Sequence, residues 1–266
     1  MEPMLNIAVG AARKAGQIVE RAIDRLDTVK IESKSRNDFV TQIDKASEKE
    51  IIYHLQKAYP QHLIQAEETG FHGDENSEYQ WLIDPLDGTT NFIHGIPHFA
   101  ISIACLHKNR LAHAVVYDPI KREEFTASRG GGAFLNGRRM RVSPRLSFDG
   151  ALLGTGIPFS GYALDHMDGY LKCLQEVSGQ CAGIRRAGAA ALDLAYVAAG
   201  RFDGFWELGL KPWDVAAGAL LITEAGGLVA DFNGGNSFLE KGNIVAANPK
   251  LLKQLLPMVQ KHLGYL

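Results

Sequence analysis

A chain of 266 residues with 46% apolar content can bury a full hydrophobic core, as one large domain or two modest ones. Its 28 Lys and Arg against 30 Asp and Glu leave a net charge of −2, which excludes a global basic field that would capture nucleic acid or a membrane surface; no strong independent nucleic-acid binding is expected. Met1 to Asn6 lacks the marks of a signal peptide, no apolar run approaches ~18 residues, and Cys105, Cys173 and Cys181 form no CxxC pair, so a cytoplasmic protein with ordinary thiols is expected.

Leu5, Ala8, Val9, Ala12, Ala15 and Val19 recur at spacings of three and four, which predicts an amphipathic helix over residues 4–22. The polar, aperiodic Lys34-Ser35-Arg36-Asn37-Asp38 reads as a mobile loop, and a second helix is predicted over 44–58, closed by Pro60. From Gln80 the pattern turns to short β-rich runs at 81–83, 99–106, 112–117 and 124–127. Turn sequences at Lys108-Asn109, Asp118-Pro119, Gly130-Gly131-Gly132 and Asn136-Gly137 separate them. The first half is therefore expected to be helices on an antiparallel meander. The second half alternates a helix at 189–199, a strand at 202–207, a helix at 214–224 and a strand at 228–232, which is α/β grammar. A soft boundary near residue 145 divides the chain into parts 1–145 and 146–266, expected to pack closely.

The segment Trp81-Leu82-Ile83-Asp84-Pro85-Leu86-Asp87-Gly88-Thr89-Thr90-Asn91 carries the strongest chemical signal. A strand is expected to deliver Asp84 at its end, Pro85 to stop the ladder, and Gly88 to bend the chain before Thr89 or Thr90 opens a helix. Two carboxylates three residues apart repel each other unless a cation lies between them, and oxygen-only ligands select a hard ion such as Mg²⁺. Unpaired amides at a helix start suit a phosphate. Locally, a plain Asp-Pro turn capped by Asp87 stays open as an alternative. So does a solvated loop at Glu67-Glu68, which follows an apolar run and precedes Gly70, and so does a simple N-cap for Asp214 after Trp213. His94 and His98 stand four apart, but Gly95 and Pro97 deny them the helix of a zinc pair. Gly130 to Gly132 lacks the Lys-Ser/Thr of a P-loop and reads as a turn.

Taken together, Glu67-Glu68, Asp84-Pro85-Leu86-Asp87-Gly88-Thr89-Thr90, Trp213-Asp214-Val215-Ala216-Ala217-Gly218 and Glu224-Ala225-Gly226-Gly227 stand in the order and spacing of the inositol monophosphatase family. With Arg185-Arg186-Ala187-Gly188 and Ala191-Leu192-Asp193-Leu194-Ala195-Tyr196, nearly the whole chain resembles a bacterial branch of that family. The resemblance implies a mixed α+β and α/β fold, a layered αβαβα sandwich of the sugar phosphatase type shared with fructose bisphosphatases. It implies a Mg²⁺-dependent phosphomonoesterase that hydrolyses myo-inositol monophosphate by direct attack of a metal-activated water, with no phosphoenzyme.

Carried over by position, the resemblance gives one Mg²⁺ to Glu67, Asp84 and the carbonyl of Leu86, and a second to Asp84, Asp87 and Asp214. A third, weaker ion would lean on Glu67. Glu67 and Thr89, supported by Asp44, would orient and deprotonate the water. Phosphate would lie on the amides of Gly88 and Thr89, and ring hydroxyls would meet Asp87, Glu207 and Asp214. Gly188, Ala189 and Ala190 would form one wall, with Arg185 nearby. The 34–38 segment resembles a mobile loop that closes over the site and helps to hold the third metal. Many relatives carry Thr or Ser where this chain has Ala189, which forgoes a hydrogen bond worth ~0.5–1.5 kcal/mol. The family further implies a homodimer, lithium sensitivity and, in its bacterial members, partners such as RNA polymerase or Nus-type transcription factors. Two alternatives remain open. One is a sister phosphatase acting on fructose 1,6-bisphosphate, histidinol phosphate, a bisphosphorylated adenosine or NADP, since fold does not choose substrate. The other is a binding protein of ribosomal RNA antitermination complexes whose phosphatase activity is secondary.

Overall fold

The computed structural model describes residues 2–35, 38–158 and 161–266, with the backbone alone at Lys34, Ser35 and Asp38. Helix α1 (Pro3–Ile23) opens on a proline, whose missing N–H costs nothing in a first turn, and buries the predicted stripe Leu5, Ala8, Val9, Ala12, Ala15 and Val19. A short turn (Leu26–Thr28) leads to a hairpin of β1 (Ile31–Ser35) and β2 (Asp38–Thr41), and α2 (Gln42–Ala58) then packs beside α1. The hairpin replaces most of the expected loop. Ile31, Glu32 and Ser33 are exposed, and a strand that buries so little shows no alternation to read. Arg36 and Asn37, the centre of that expected loop, lie outside the described residues.

An eight-stranded sheet follows, built from β3 (Leu63–Ala66), β4 (Gly70–His72), β5 (Tyr79–Asp87), β6 (Ala100–His107), β7 (Arg110–Asp118), β8 (Glu123–Ser128), β9 (Gly132–Leu135) and β10 (Arg138–Arg139). The order is β10-β9-β8-β7-β6-β5-β3-β4, and only the β3–β5 pair is parallel. The antiparallel meander thus holds from β5 onward. Between β5 and β6 lies the one-turn helix α3 (Thr89–Ile93).

The second sheet takes β11 (Leu152–Thr155), β12 (Gly183–Arg185), β13 (Gly204–Glu207), β14 (Leu228–Ala230) and β15 (Ile244–Ala247) in the order β12-β11-β13-β15-β14. β11 runs parallel to both its neighbours, whereas β15 is antiparallel to β13 and β14. Its helices are α4 (Gly161–Leu164), α5 (Met167–Ser178), α6 (Ala190–Ala198), α7 (Pro212–Glu224), α8 (Phe238–Lys241) and α9 (Pro249–Leu263).

Three apolar clusters fix the layering. Trp81, Ile83, Ile101 and Ile103 face α1 and α2, while Leu82, Ala100 and Ala104 face α6 and α7 from the opposite side of the same strands. Period-two alternation with both faces buried is why β5 and β6 read as near-continuous apolar runs. Beyond α6 and α7, Phe205, Ile244 and Ala246 join the shared cluster, and Leu153, Trp206 and Val245 on the far face meet α5 and α9. The result is the expected αβαβα sandwich. Its middle layer is rich in small residues: a Cβ on Gly218 would lie 2.4 Å from Leu194 Cβ, so α6 and α7 cross in close contact there.

Candidate active site

Chemistry gathers in a cleft of about 450 Å³ where the end of β5, α3, the end of β13 and the starts of α6 and α7 meet. It is lined by Glu67, Asp84, Leu86, Asp87, Gly88, Thr89, Gly188, Ala189, Ala190, Glu207 and Asp214, all singled out in the sequence. A larger open groove of about 1040 Å³ along the start of α1 and the Arg129–Gly132 turn brings together no such group of carboxylates. Two expected residues are not on the cleft wall. Asp44 stands one bond behind it, through Thr89. Arg185 is exposed on β12 with Nη1 on the Ile184 carbonyl, and its neighbour Arg186 lines the cleft instead, since successive residues of an extended chain face opposite ways.

Pro85 does not end β5, contrary to expectation. The strand pairs with β6 through Asp84↔Ser102, loses register, and resumes at Asp87↔Ala100. This irregularity places the missing proline donor where no ladder bond is required and turns both aspartates towards the cleft. Asp84 Oδ1 accepts from the Leu86 amide at 2.9 Å. Gly88 follows at φ 95°, and a Cβ there would sit 3.1 Å from the His98 carbonyl and 3.2 Å from Ala189, so glycine alone makes the bend without strain.

Asp87 does something the sequence did not reveal. Its two oxygens accept from the amides of Ala190, Ala191 and Leu192 at 3.2, 2.8 and 3.4 Å. Helix α6 starts after Ala189, which has no capping oxygen, and a carboxylate from the other sheet does the capping. Asp214 is the third residue of α7, and its Oδ2 accepts from the Lys211 amide at 2.7 Å. The local reading of Asp214 as an N-terminal cap and its position on the cleft therefore coexist.

Thr41 and Asp44 form a capping box at the start of α2. The other oxygen of Asp44 accepts from the Thr89 hydroxyl at 2.9 Å, and the Leu86 carbonyl stands 3.0 Å from the same hydroxyl. With its single proton held on that side, Thr89 Oγ1 keeps its lone pairs for the cleft.

Burial dominates the electrostatics. It pushes the Asp84 carboxyl well above the usual carboxylate range, helped by the negative charges of Glu67, Asp87 and Asp214. Asp87 rises to about 7, chiefly through burial and then through the charge of Asp193. Asp214 and Glu207 are likewise raised well above normal by burial, with Asp87 adding to Asp214 and Asp193 adding to Glu207. Asp44 is raised by burial against the pull of its Thr41 and Thr89 bonds. Cys105 and Cys173 are pushed up to about 12 by burial, as inert core thiols should be. Among the described residues no three His, Cys, Asp or Glu side chains form a ready-made metal cage; Asp84 and Asp214 each turn one oxygen to a backbone amide, and Asp87 turns both.

Several contributors escaped sequence reasoning. His98 Nε2 pairs with buried Asp193 at 3.0 Å, and Asn91 Nδ2 donates to the carbonyls of His98 and Ala187 at 2.7 and 2.8 Å, tying α3 to the 187–190 wall. Glu224 accepts from the amides of Gly130 and Gly132, so the glycine run is a turn held by the start of the Glu-Ala-Gly-Gly motif. Asn91, Asp193 and Glu224 stand in segments singled out in the sequence, but no local pattern names their partners.

A model of the inositol monophosphatase family matches residues 1–263. A protein of Pseudomonas aeruginosa called "Nus factor SuhB" is 61% identical over 99% of this chain and 98% of its own, and the "Nus factor SuhB" of Escherichia coli K12 is 52% identical over the same shares. Among solved structures, the extragenic suppressor protein suhB of Bartonella henselae superposes with a TM-score of 0.94 at 44% identity, covering 98% of this chain and 99% of that one. The Thermotoga maritima IMPase gives 0.86 at 34% identity, covering 98% of both. With the motifs in place, the sandwich reproduced and the whole length matched, this chain belongs to the inositol monophosphatase family.

Proposed function

We propose that this chain is a Mg²⁺-dependent phosphomonoesterase whose leading substrate is inositol monophosphate. The observation that carries the reading is the convergence of Glu67, Asp84, Asp87 and Asp214 on one cleft beside a hydroxyl whose proton a buried aspartate already engages. The donor set suits a hard dication: it is all oxygen, it is fourfold acidic, and the charges of Glu67, Asp87 and Asp214 add to burial in raising the Asp84 carboxyl. Glu67, Asp84 and the Leu86 carbonyl would hold one Mg²⁺, and Asp84, Asp87 and Asp214 another, with a weaker third on Glu67. Bound there, Mg²⁺ would supply positive charge that acidifies water and stabilises the phosphoryl oxygens and the leaving alkoxide.

The chain's own part is positioning and proton handling. Thr89 Oγ1, with its hydrogen turned to Asp44, accepts a hydrogen from the attacking water, and Glu67 accepts the other. The water oxygen forms a bond to phosphorus as the ester P–O bond breaks, and a proton passes to the leaving oxygen, giving alcohol and inorganic phosphate. The Gly88 and Thr89 amides bind phosphate, and Glu207, Asp87 and Asp214 accept from ring hydroxyls. Gly188, Ala189 and Ala190 form the wall, with Arg186 as the guanidinium at the cleft. Phosphate release from inositol monophosphate, fructose 1,6-bisphosphate, histidinol phosphate, a bisphosphorylated adenosine and NADP, with and without Mg²⁺, tests the reading. Release from inositol monophosphate that requires Mg²⁺ and falls by about 10³-fold in Glu67→Gln is expected; retention of more than about a tenth of wild-type turnover would remove Glu67 from the mechanism.

A second reading has one observation in its favour: the relatives in Pseudomonas and Escherichia are called Nus factors. This chain would then also dock, as a homodimer, on RNA polymerase or Nus-type proteins, since its net charge of −2 gives no support to strong RNA binding of its own. A pull-down with Glu67→Gln separates the two, because a docking role survives the loss of hydrolysis.

A further inference from the structure

On α2, Asp44, Ser47 and Glu48 occupy one face at i, i+3 and i+4, and all three are buried to 1% exposure or less. Three polar side chains hidden on one helix face are stable only if each is paired. Besides the capping box of Asp44 with Thr41, each of the three reaches a segment that carries the candidate site. Asp44 takes the Thr89 hydroxyl. Ser47 Oγ donates to the Pro85 carbonyl at 2.8 Å, inside the irregular stretch between Asp84 and Asp87. Glu48 accepts from the Glu68 amide at 2.8 Å and from the Thr69 hydroxyl at 2.7 Å, in the turn that directly follows Glu67. His72 Nε2, on β4, stands 2.6 Å from the same Thr69 oxygen and can donate to it. The Glu67 amide itself donates to the Ile83 carbonyl at 3.1 Å.

Glu67 is therefore held at the backbone from both sides, by β5 before its side chain and by Glu48 after it. We infer that Glu48 is a positioning residue, which fixes the 67–69 turn so that Glu67 faces the cleft and thereby sets the affinity for the divalent cation. The inference rests on the metal phosphatase reading. Burying a carboxylate to tie one surface turn is an expensive solution for stability alone, and it is understandable if what must be held is the direction of a ligand. Glu48 touches neither substrate nor metal; it acts through Glu68 and Thr69.

The test is Mn²⁺ binding followed by electron paramagnetic resonance without substrate, joined to the Mg²⁺ dependence of phosphate release. Glu48→Ala is expected to raise the Mn²⁺ Kd and the half-saturating Mg²⁺ by about 10- to 100-fold, while KM for the phosphoester at saturating Mg²⁺ moves by less than about threefold. Glu48→Gln keeps an acceptor oxygen for the Glu68 amide and should return the Mn²⁺ Kd to within about threefold of wild type. Leu55→Ala, a fully buried truncation on the same helix, controls for destabilisation and should leave Mn²⁺ binding unchanged. Thr69→Val removes one of the two bonds at an exposed site, gives an intermediate shift, and keeps the test open if Glu48→Ala does not fold. Wild-type Mn²⁺ affinity in Glu48→Ala and Thr69→Val, or equal weakening in Glu48→Ala and Leu55→Ala, overturns the inference. A wild-type protein that takes up no Mn²⁺ refutes the metal reading itself.

Discussion

Gly156 lies opposite Glu207, and the two are so close that a Cβ at 156 would fall 1.7 Å from Glu207 Oε1 and 1.9 Å from its Cδ. Gly156→Ala is therefore a way to move the Glu207 carboxyl without touching it. The backbone at Gly156 is not in the left-handed region, so alanine itself adds no strain there. The flexible end of Glu207 must swing away, and its departure costs the fold little, because burial and the charges of Asp193, Asp214 and Asp87 already oppose its ionisation. Stability should stay within about 1 kcal/mol of wild type. What is lost is the hydroxyl contact proposed for Glu207, worth about 1–3 kcal/mol between neutral and charged acceptors. At ~1.4 kcal/mol per tenfold, kcat/KM for inositol monophosphate should fall about 5- to 150-fold. Phenyl phosphate, which has the ester but no ring hydroxyls, should lose less than about threefold, since the phosphate and proton-handling groups are unmoved. Steady-state kinetics on the two esters decide it. An equal loss on both would mean that the substitution disturbs the carboxylate cluster, and no loss on inositol monophosphate would remove Glu207 from substrate recognition.

Calcium should inhibit, because its larger, looser coordination misplaces phosphate and water in a site that suits Mg²⁺; equal turnover with the two ions would show that the cleft does not work as described. Asp214→Asn should melt higher than wild type in EDTA by about 1 kcal/mol or less, since it removes one of the mutually repelling acids while an amide oxygen can still cap Lys211. Saturating Mg²⁺ should raise wild type more than the variant, and equal gains in thermal melts would make Asp214 a cap alone. The same acids predict a pH dependence. Asp84, Asp87 and Asp214 have native pKa values above the usual 3.8, with Asp87 at about 7. Their contribution to stability is thus complete below about pH 4 and is lost as pH rises through about 7. In EDTA the melting temperature should fall as pH rises from about 4 through about 7, and Mg²⁺ should flatten that fall; a flat profile in EDTA would mean that these carboxyls are not raised in the folded state.

What the sequence made legible follows from what has a local signature. The stripe of α1 recurs at helical spacing, β6 and β7 are β-rich runs bounded by turn sequences, and all three elements lie within a few residues of their predicted bounds. No expectation was formed for α5, α9, β11, β12 or β15, although α9 has a clear apolar face; these elements complete the far side of the second sheet. β12 is only three residues long, too short to show a period. β1 was hidden by the exposure of Ile31, Glu32 and Ser33. At the cleft, the lining residues were named by the resemblance of the acidic motifs to the inositol monophosphatase family, whereas each motif's local pattern left a plain turn, loop or cap open. The partners that hold them were not legible: Asp87 caps α6 across 103 positions or more, and Ser47 reaches Pro85 across 38. Arg185 against Arg186 was a choice between adjacent residues, which only the backbone direction after β12 decides.

The structure also weighs the two functional readings against each other in energetic terms. A protein whose sole task was to dock on other proteins would gain from replacing buried, mutually repelling acids by apolar or amide side chains, because each raised pKa is stability forgone at neutral pH. This chain keeps Asp84, Asp87, Asp214 and Glu207 together, three of them at the ends of elements whose first amides they also cap or whose turn they brace. That double use explains how the fold tolerates the cluster: a carboxylate that accepts from backbone amides, three for Asp87 and one each for Asp84 and Asp214, retains part of the solvation it lost on burial. It also means that the scaffold and the candidate catalytic centre are not separable pieces. Asp87 joins the first sheet to α6, and Asp214 starts α7, the two helices that form the middle of the sandwich. A docking surface carried on this framework therefore inherits the cleft whether or not docking uses it, and hydrolysis in the Glu67→Gln variant, which leaves those caps intact, is the property that can be removed while the framework stays.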